Sequence, residues 1–145
     1  MTMKNPNAWL VFALGSAVFA GLTAILGKVG VAGINSNLAT LIRTVVILAF
    51  AGALVLVRGE WVGITTASAK TWIFLVLSGL ATGASWLCYY RALQLAPASK
   101  VAPIDKLSVV IAIALGLMFL REPVSMRLII GGALIAAGSI LIATI

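Results

Sequence analysis

Arg43, Trp86, Tyr90, Arg91, Asp105 and Lys106 fall inside or at the ends of long apolar segments, and their types define the chemistry available there. Trp86 and Tyr90 share one helical face, next to Arg91. An aromatic wall beside a cation suits a partly apolar or planar ligand. The structural alternative for Trp86 is a core residue whose indole N–H is bonded to a neighbouring helix. Arg43 lies about two turns into its segment, at 3.6 residues per turn, on a face with Ser36, Thr40 and Ile47. It either snorkels to the interface or points into a polar cavity. Depth gives these charges weight, because a charge at mid-bilayer costs roughly 2.5–3.5 kcal/mol on insertion scales. Of the 3 acids, Asp105 alone falls inside an apolar segment, while Glu60 and Glu122 fall in connections. Asp105 is therefore either an ion-pair partner for Arg43, Arg91 or Lys28, or the embedded carboxylate that proton or cation coupling needs. Its neighbour Lys106 faces another direction on a helix and reads as a poor partner for it. Lys28 and Arg91, near helix ends, read as snorkelling.

Other chemistries lack their residues. There is no histidine, and Cys88 is the single cysteine, so neither an intrachain disulfide nor a cysteine metal cluster is expected. Cys88 sits mid-span, where it serves as a small apolar residue. No Gly-rich phosphate loop, metal-spaced cluster or nucleophile with a histidine base occurs. The expectation is no cofactor, no metal and no enzyme. The net charge of +7 does not point to nucleic acid, because the basic residues are dispersed rather than clustered. They lie mostly at span ends, where anionic lipid headgroups meet them.

The elements that carry these residues are plain from hydropathy. The chain is 63% hydrophobic and 9% charged over 145 residues, too apolar for a soluble domain of this size. A spanning helix needs ~20 apolar residues to cross ~30 Å of hydrocarbon. Five such segments are expected, at about 8–27, 37–57, 71–93, 101–120 and 126–144, forming one domain over 1–145. The first is too long for a signal-peptide core of ~7–15 residues. Ser36 or Asn37 is expected to cap the second span, Ser68 the third and Ser125 the fifth. Pro97 and Pro103 bracket the start of the fourth, with a mild kink as one consequence of Pro103.

Trp9, Trp61 and Trp72 fall at ends on the N-terminal side, as an interfacial belt requires, with Tyr89 and Tyr90 near the other interface. Basic residues divide evenly: Lys4, Arg58, Lys70, Arg121 and Arg127 on the N-terminal side, Lys28, Arg43, Arg91, Lys100 and Lys106 on the other. A plain positive-inside count gives no bias. If Lys28, Arg43, Arg91 and Lys106 are bound to protein or ligand, the remaining loop charges favour a cytoplasmic N-terminus. If all count, the chain inserts both ways.

Small residues recur at helical spacing: Ser16, Ala20, Thr23 and Gly27; Gly79, Gly83, Trp86 and Tyr90; Asp105, Ser108, Ala112 and Gly116. Such stripes serve close helix packing in a membrane before they serve ligands. An odd span number has a further consequence. Two copies of a five-helix unit in opposite orientation make the inverted repeat on which alternating-access carriers are built.

The run YYRALQLAPAS at 89–99, continued by VAPIDKLS at 101–108, resembles the third-to-fourth span junction of EamA-type members of the drug/metabolite transporter superfamily. Arg121-Glu122-Pro123, followed by IGGAL at 130–134 and Ala137-Gly138, looks like that family's final loop and last helix. Arg43, in LIRT at 41–44, falls where the family commonly has an arginine. The resemblance covers nearly the whole chain and implies an all-α integral membrane protein, half of a ten-helix inverted-repeat carrier. It is similar to the smaller five-helix bacterial and archaeal members of the family.

The expectation is a plasma-membrane secondary carrier of a small solute, alternating access as a homodimer, with an antiparallel pair as one arrangement. Arg43, Trp86, Tyr90, Arg91, Asp105 and Lys106 are expected to bind the solute in a cavity among the first four helices. Four cations against one acid favour an anionic or zwitterionic solute. Small multidrug carriers of organic cations rely on an acid in the first helix, and here that helix has none. The rival readings are a non-transporting subunit of a larger membrane complex and a lipid flippase.

Overall fold

In hydrocarbon every backbone N–H and C=O must be satisfied within the protein, which leaves an open chain one solution, the helix. The computed structural model describes residues 7–144, and Lys4 lies outside them. Among the described residues there are no strands. The helices are α1 (Ala8–Gly30), α2 (Ser36–Arg58), α3 (Ala69–Leu95), α4 (Ala98–Asp105), α5 (Leu107–Leu115) and α6 (Met126–Ala143). A short 3₁₀ turn follows α2 at Glu60–Gly63, and a π turn, Gly116–Leu120, ends α5. Five stretches are long and apolar enough to cross a membrane: α1, α2, α3, the composite Ala98–Leu120, and α6. Each spans within three residues of its expected bounds.

The fourth span differs most from expectation. It is broken rather than mildly kinked. Pro103 sits in the sixth position of α4, past the first turn, and has no N–H to return to the preceding turn. The ladder then tightens: Lys106 N donates to Pro103 O at 3.0 Å and Val109 N to Lys106 O at 3.0 Å. Those are three-residue spacings, so α4 ends and α5 begins on either side of Lys106.

Capping is one residue out for the second span. The Asn35 side chain, not Ser36 or Asn37, takes the N-cap role, accepting from Asn37 N at 2.8 Å. Ser36 is instead the first helical residue and is buried. Ser68 Oγ accepts from Thr71 N at 3.1 Å and Ser125 Oγ from Leu128 N at 3.2 Å, as expected.

The chain folds into two compact units. One holds α2 and α3, residues 30–95; the other holds most of α1 together with α4, α5 and α6. In the α2–α3 unit the core lies at one end. Leu93 and Val31 are the most completely enclosed side chains there, joined by Ala39, Thr40 and Tyr90. Gln94 fastens the loop before α2 to the end of α3: its Nε2 donates to Ile34 O at 2.7 Å and to Val31 O at 3.4 Å. Elsewhere α2 and α3 present leucine, valine, isoleucine and phenylalanine outward, which suits lipid and removes any hydrophobic drive for tighter closure.

In the other unit α6 packs along α4 and α5, with Gly132 and Ser139 buried. A Cβ on Gly132 would meet Ile113 Cδ1 at 3.4 Å, ordinary contact, so the glycine marks a close approach of α6 to α5. Lys28, in the last turn of α1, donates from Nζ to Ala96 O at 3.0 Å.

Candidate functional site

The packed end of the α2–α3 unit carries the polar chemistry. Arg43 projects from α2, half-buried, and places its guanidinium over the Trp86 ring of α3, with Cζ 3.3 Å from the ring centroid. Tyr90, one turn further along α3, lies 5.8 Å from the same Cζ and is buried. Trp86 meets Tyr89 and Tyr90 edge-on, with centroids at 5.5 and 5.9 Å and interplanar angles of 77° and 61°. The helical spacing explains the assembly: positions 86, 89 and 90 are i, i+3 and i+4, so their rings converge on one face. Each ring offers a positive edge and a negative face. The edges of one ring meet the face of the next, and the exposed face of Trp86 receives the cation.

The contact with Trp86 is what holds Arg43, whose guanidinium rests on the ring. Among the described residues no carbonyl or carboxylate accepts from its guanidinium, and both ion pairs involve other residues. No buried side-chain nitrogen or oxygen among the described residues lacks a partner, so the guanidinium nitrogens remain reachable. A planar fork of N–H donors with one face covered by indole is suited to a carboxylate or phosphate.

Of the other expected site residues, Arg91 belongs to the same unit but donates to Gln94 Oε1 at 3.0 Å, three residues on along α3. Asp105 and Lys106 belong to the other unit. They pair with each other: Lys106 Nζ lies 3.4 Å from Asp105 Oδ2. This corrects the expectation that adjacency makes them poor partners. The helix break at Lys106 and the long lysine stem let the ammonium fold back onto the preceding residue.

Gly79 and Gly83 continue the stripe that leads to Trp86 on α3, and a Cβ at either would meet open space. Their GxxxG spacing closes no contact within the α2–α3 unit. Glu122 packs on the π turn: its carboxylate lies over Gly116, where an added Cβ would come 3.0 Å from Oε2. Gln94 is a residue that sequence reasoning passed over. Its position, i+3 from Arg91 and i+4 from Tyr90, was the available signal.

Residues 7–144 match the model of the EamA-like transporter family. The chain belongs to that family. It is also 54% identical over 137 residues to a protein of Sinorhizobium sp. described as an "uncharacterized transporter in cobO 3'region", covering 94% of this chain and 97% of that protein. No solved structure matches. Five membrane-spanning helices and membership of a transporter family make this EamA-like protein a multi-pass membrane transporter.

Proposed function

We propose that the protein is a secondary carrier of a small anionic or zwitterionic metabolite, acting by alternating access as a homodimer in the plasma membrane. Arg43 meets the carboxylate or phosphate of the solute, and Trp86 and Tyr90 form the wall against which its apolar part rests. The observation that carries this reading is the Arg43 guanidinium, fixed on Trp86 with reachable N–H donors that no protein group claims. Placing such a cation within a span is costly unless a ring, a counter-charge or a ligand meets it.

A cytoplasmic N-terminus belongs to the same reading. Lys28, Arg43, Arg91 and Lys106 are each engaged by a protein group. The basic residues left to bias insertion are then those of the N-terminal side together with Lys100. With a single five-helix unit, a pair of copies supplies the second half that an inverted-repeat carrier needs.

Counterflow in proteoliposomes containing this protein alone tests the proposal. Labelled amino acids, small carboxylates and organic phosphates are offered beside organic cations. Uptake of an anionic or zwitterionic probe that Arg43→Ala abolishes supports the reading. Flux of organic cations only, or an unchanged affinity in Arg43→Ala, sinks it.

A further inference from the structure

Between α4 and α6 runs a groove of about 450 Å³, within the roughly 300–1,000 Å³ of small-ligand sites. Pro103, Leu134, Ile135 and Ile142 form its walls, with Gly138 and Ser139 in its floor. Leu134 is 68% exposed and Ile135 39%, so the groove opens sideways from the helix pair rather than into a closed core. The single charged side chain lining it is Lys106.

We propose that this groove binds an anionic phospholipid of the surrounding bilayer, its phosphate on Lys106 Nζ and one acyl chain laid along the groove. The site is independent of the carrier reading above, and it gives Lys106 a partner other than the transported solute.

Depth and charge lead to this occupant. Lys106 is eight positions after Ala98, the first residue of the span, about 12 Å along a helix at 1.5 Å per residue. Lys106 stands at the break but keeps right-handed helical backbone angles, φ −70° and ψ −10°. Its Cα–Cβ bond therefore tilts toward the start of α4, and the stem runs part of the way back toward that interface, as snorkelling lysines do. Lipid phosphates lie on that side of the groove. The wall residues Leu134 and Ile135 lie deeper, halfway along α6, where an acyl chain descends. The groove is apolar where a chain would lie and cationic where a phosphate would lie.

Lys106 also has donors to spare. An ammonium carries three N–H groups, and Asp105 engages Lys106 across 3.4 Å with the lysine side chain still 51% exposed. Ser139, buried on α6, adds a hydroxyl to the lining.

A second copy of the chain is the competing occupant, and charge disfavours it. The chain has 3 acids. Glu60 lies in the short turn after α2 and Glu122 in the connection after the π turn, leaving another copy's Asp105, already paired, as the one acid within a span. A second copy would bury the Lys106–Asp105 ion pair against an apolar helix and bring no further acid to it, and desolvating such a pair is expensive.

The test is native mass spectrometry of the purified full chain with added phosphatidylglycerol or phosphatidylcholine. Lys106→Gln removes the charge. Gly138→Leu fills the groove, and the open space at the Gly138 Cβ lets the larger side chain enter without meeting backbone. The wild type is expected to retain phosphatidylglycerol about tenfold better than phosphatidylcholine, on the order of one charged contact. Lys106→Gln should erase that preference, Lys106→Arg should keep it, and Gly138→Leu should reduce retention of both lipids.

Equal retention of the two lipids by the wild type overturns the proposal, as does a preference that survives both Lys106→Gln and Gly138→Leu. So does a Gly138→Leu variant that loses dimer but keeps lipid, because the groove would then hold a second copy. Displacement of the lipid by soluble glycerol phosphate would mark a solute site instead. If Lys106→Gln fails to fold, judged by its helical circular dichroism, Lys106→Arg and Gly138→Leu decide. Counterflow lost in Arg43→Ala with lipid preference intact separates failure of one reading from failure of the other.

Discussion

The guanidinium of Arg43 lies over the ring of Trp86, with its carbon 3.3 Å from the ring centroid. The contact joins α2 to α3 and fixes the direction in which the guanidinium edge points. Cation–π contacts contribute about 0.5–2 kcal/mol depending on desolvation. Trp86→Ala should therefore weaken binding of an anionic probe by roughly 2- to 30-fold at 1.4 kcal/mol per decade, while Trp86→Tyr keeps most of it. Arg43→Lys should behave more like Arg43→Ala than like the wild type, because a point charge does not stack or present a planar fork. Probe affinity measured by tryptophan quenching or isothermal titration checks both. A fully functional Arg43→Lys protein would assign Arg43 a purely electrostatic role.

Gln94 holds the same end of the unit from the other side. Its amide donates to Ile34 O and Val31 O while its carbonyl accepts from Arg91. Gln94→Ala removes one bond to the exposed Ile34 carbonyl and a long one to the part-buried Val31 carbonyl, at about 0.5–1.5 kcal/mol. Gln94→Glu, which replaces the donor by an acceptor facing two carbonyls, should cost at least as much despite its attraction for Arg91. Thermal unfolding in detergent, followed by loss of helical circular dichroism, reads the difference. An unchanged midpoint for both variants would show that the loop is held by apolar packing of Val31 alone.

The five spans were legible because each is a long apolar run, and runs of that kind have one membrane solution. Capping by Ser68 and Ser125 was legible because serine followed by an apolar helix is a local signal. Asn35 was missed: three consecutive cap-forming residues, Asn35, Ser36 and Asn37, are indistinguishable until the backbone shows which one turns extended. The break at Lys106 was only half legible. Pro103 announced a fault, but whether a helix bends or stops depends on how the following turn rebonds. Arg43 and Trp86 were both singled out, yet their mutual contact joins two helices, and no periodicity within one helix encodes it. Pairing of Asp105 with Lys106 was misread because helical directions were assumed to continue through the break.

The Asn35 cap gives a clean contrast between neighbours. Its side chain accepts from Asn37 N at 2.8 Å, and its backbone is extended at φ −63°, ψ 135°. Asn35→Ala should destabilise the protein by about 1 kcal/mol. Asn37, exposed in the first turn of α2, should tolerate alanine within about 0.5 kcal/mol. Thermal midpoints of the two variants, measured side by side, distinguish the cap from its neighbour. Equal losses would mean that the second span starts elsewhere in solution.

Arg121 is the one non-glycine residue among those described with a left-handed backbone, φ 54° and ψ 37°. It ends the π turn, and the following N–H, on Glu122, bonds to Gly116 O at 3.3 Å. A side chain in this region costs roughly 1 kcal/mol relative to glycine, and glycine recovers part of that while gaining entropy in the unfolded chain. Arg121→Gly should therefore leave stability unchanged or raise it by up to about 1 kcal/mol. Arg121→Val, with a branched Cβ at positive φ, should lower it by more than that. The arginine has a second role to separate from conformation: it is one of the loop cations on the N-terminal side. Arg121→Gly removes that charge, so accessibility of the termini to impermeant thiol reagents, on a Cys88→Ser background carrying a single terminal cysteine, should shift toward mixed orientation if loop charge sets topology. Arg121→Asn tests the same point with a residue that tolerates the left-handed backbone. A raised midpoint with unchanged orientation in both variants would assign Arg121 to the turn and leave topology to Arg58, Lys70 and Arg127.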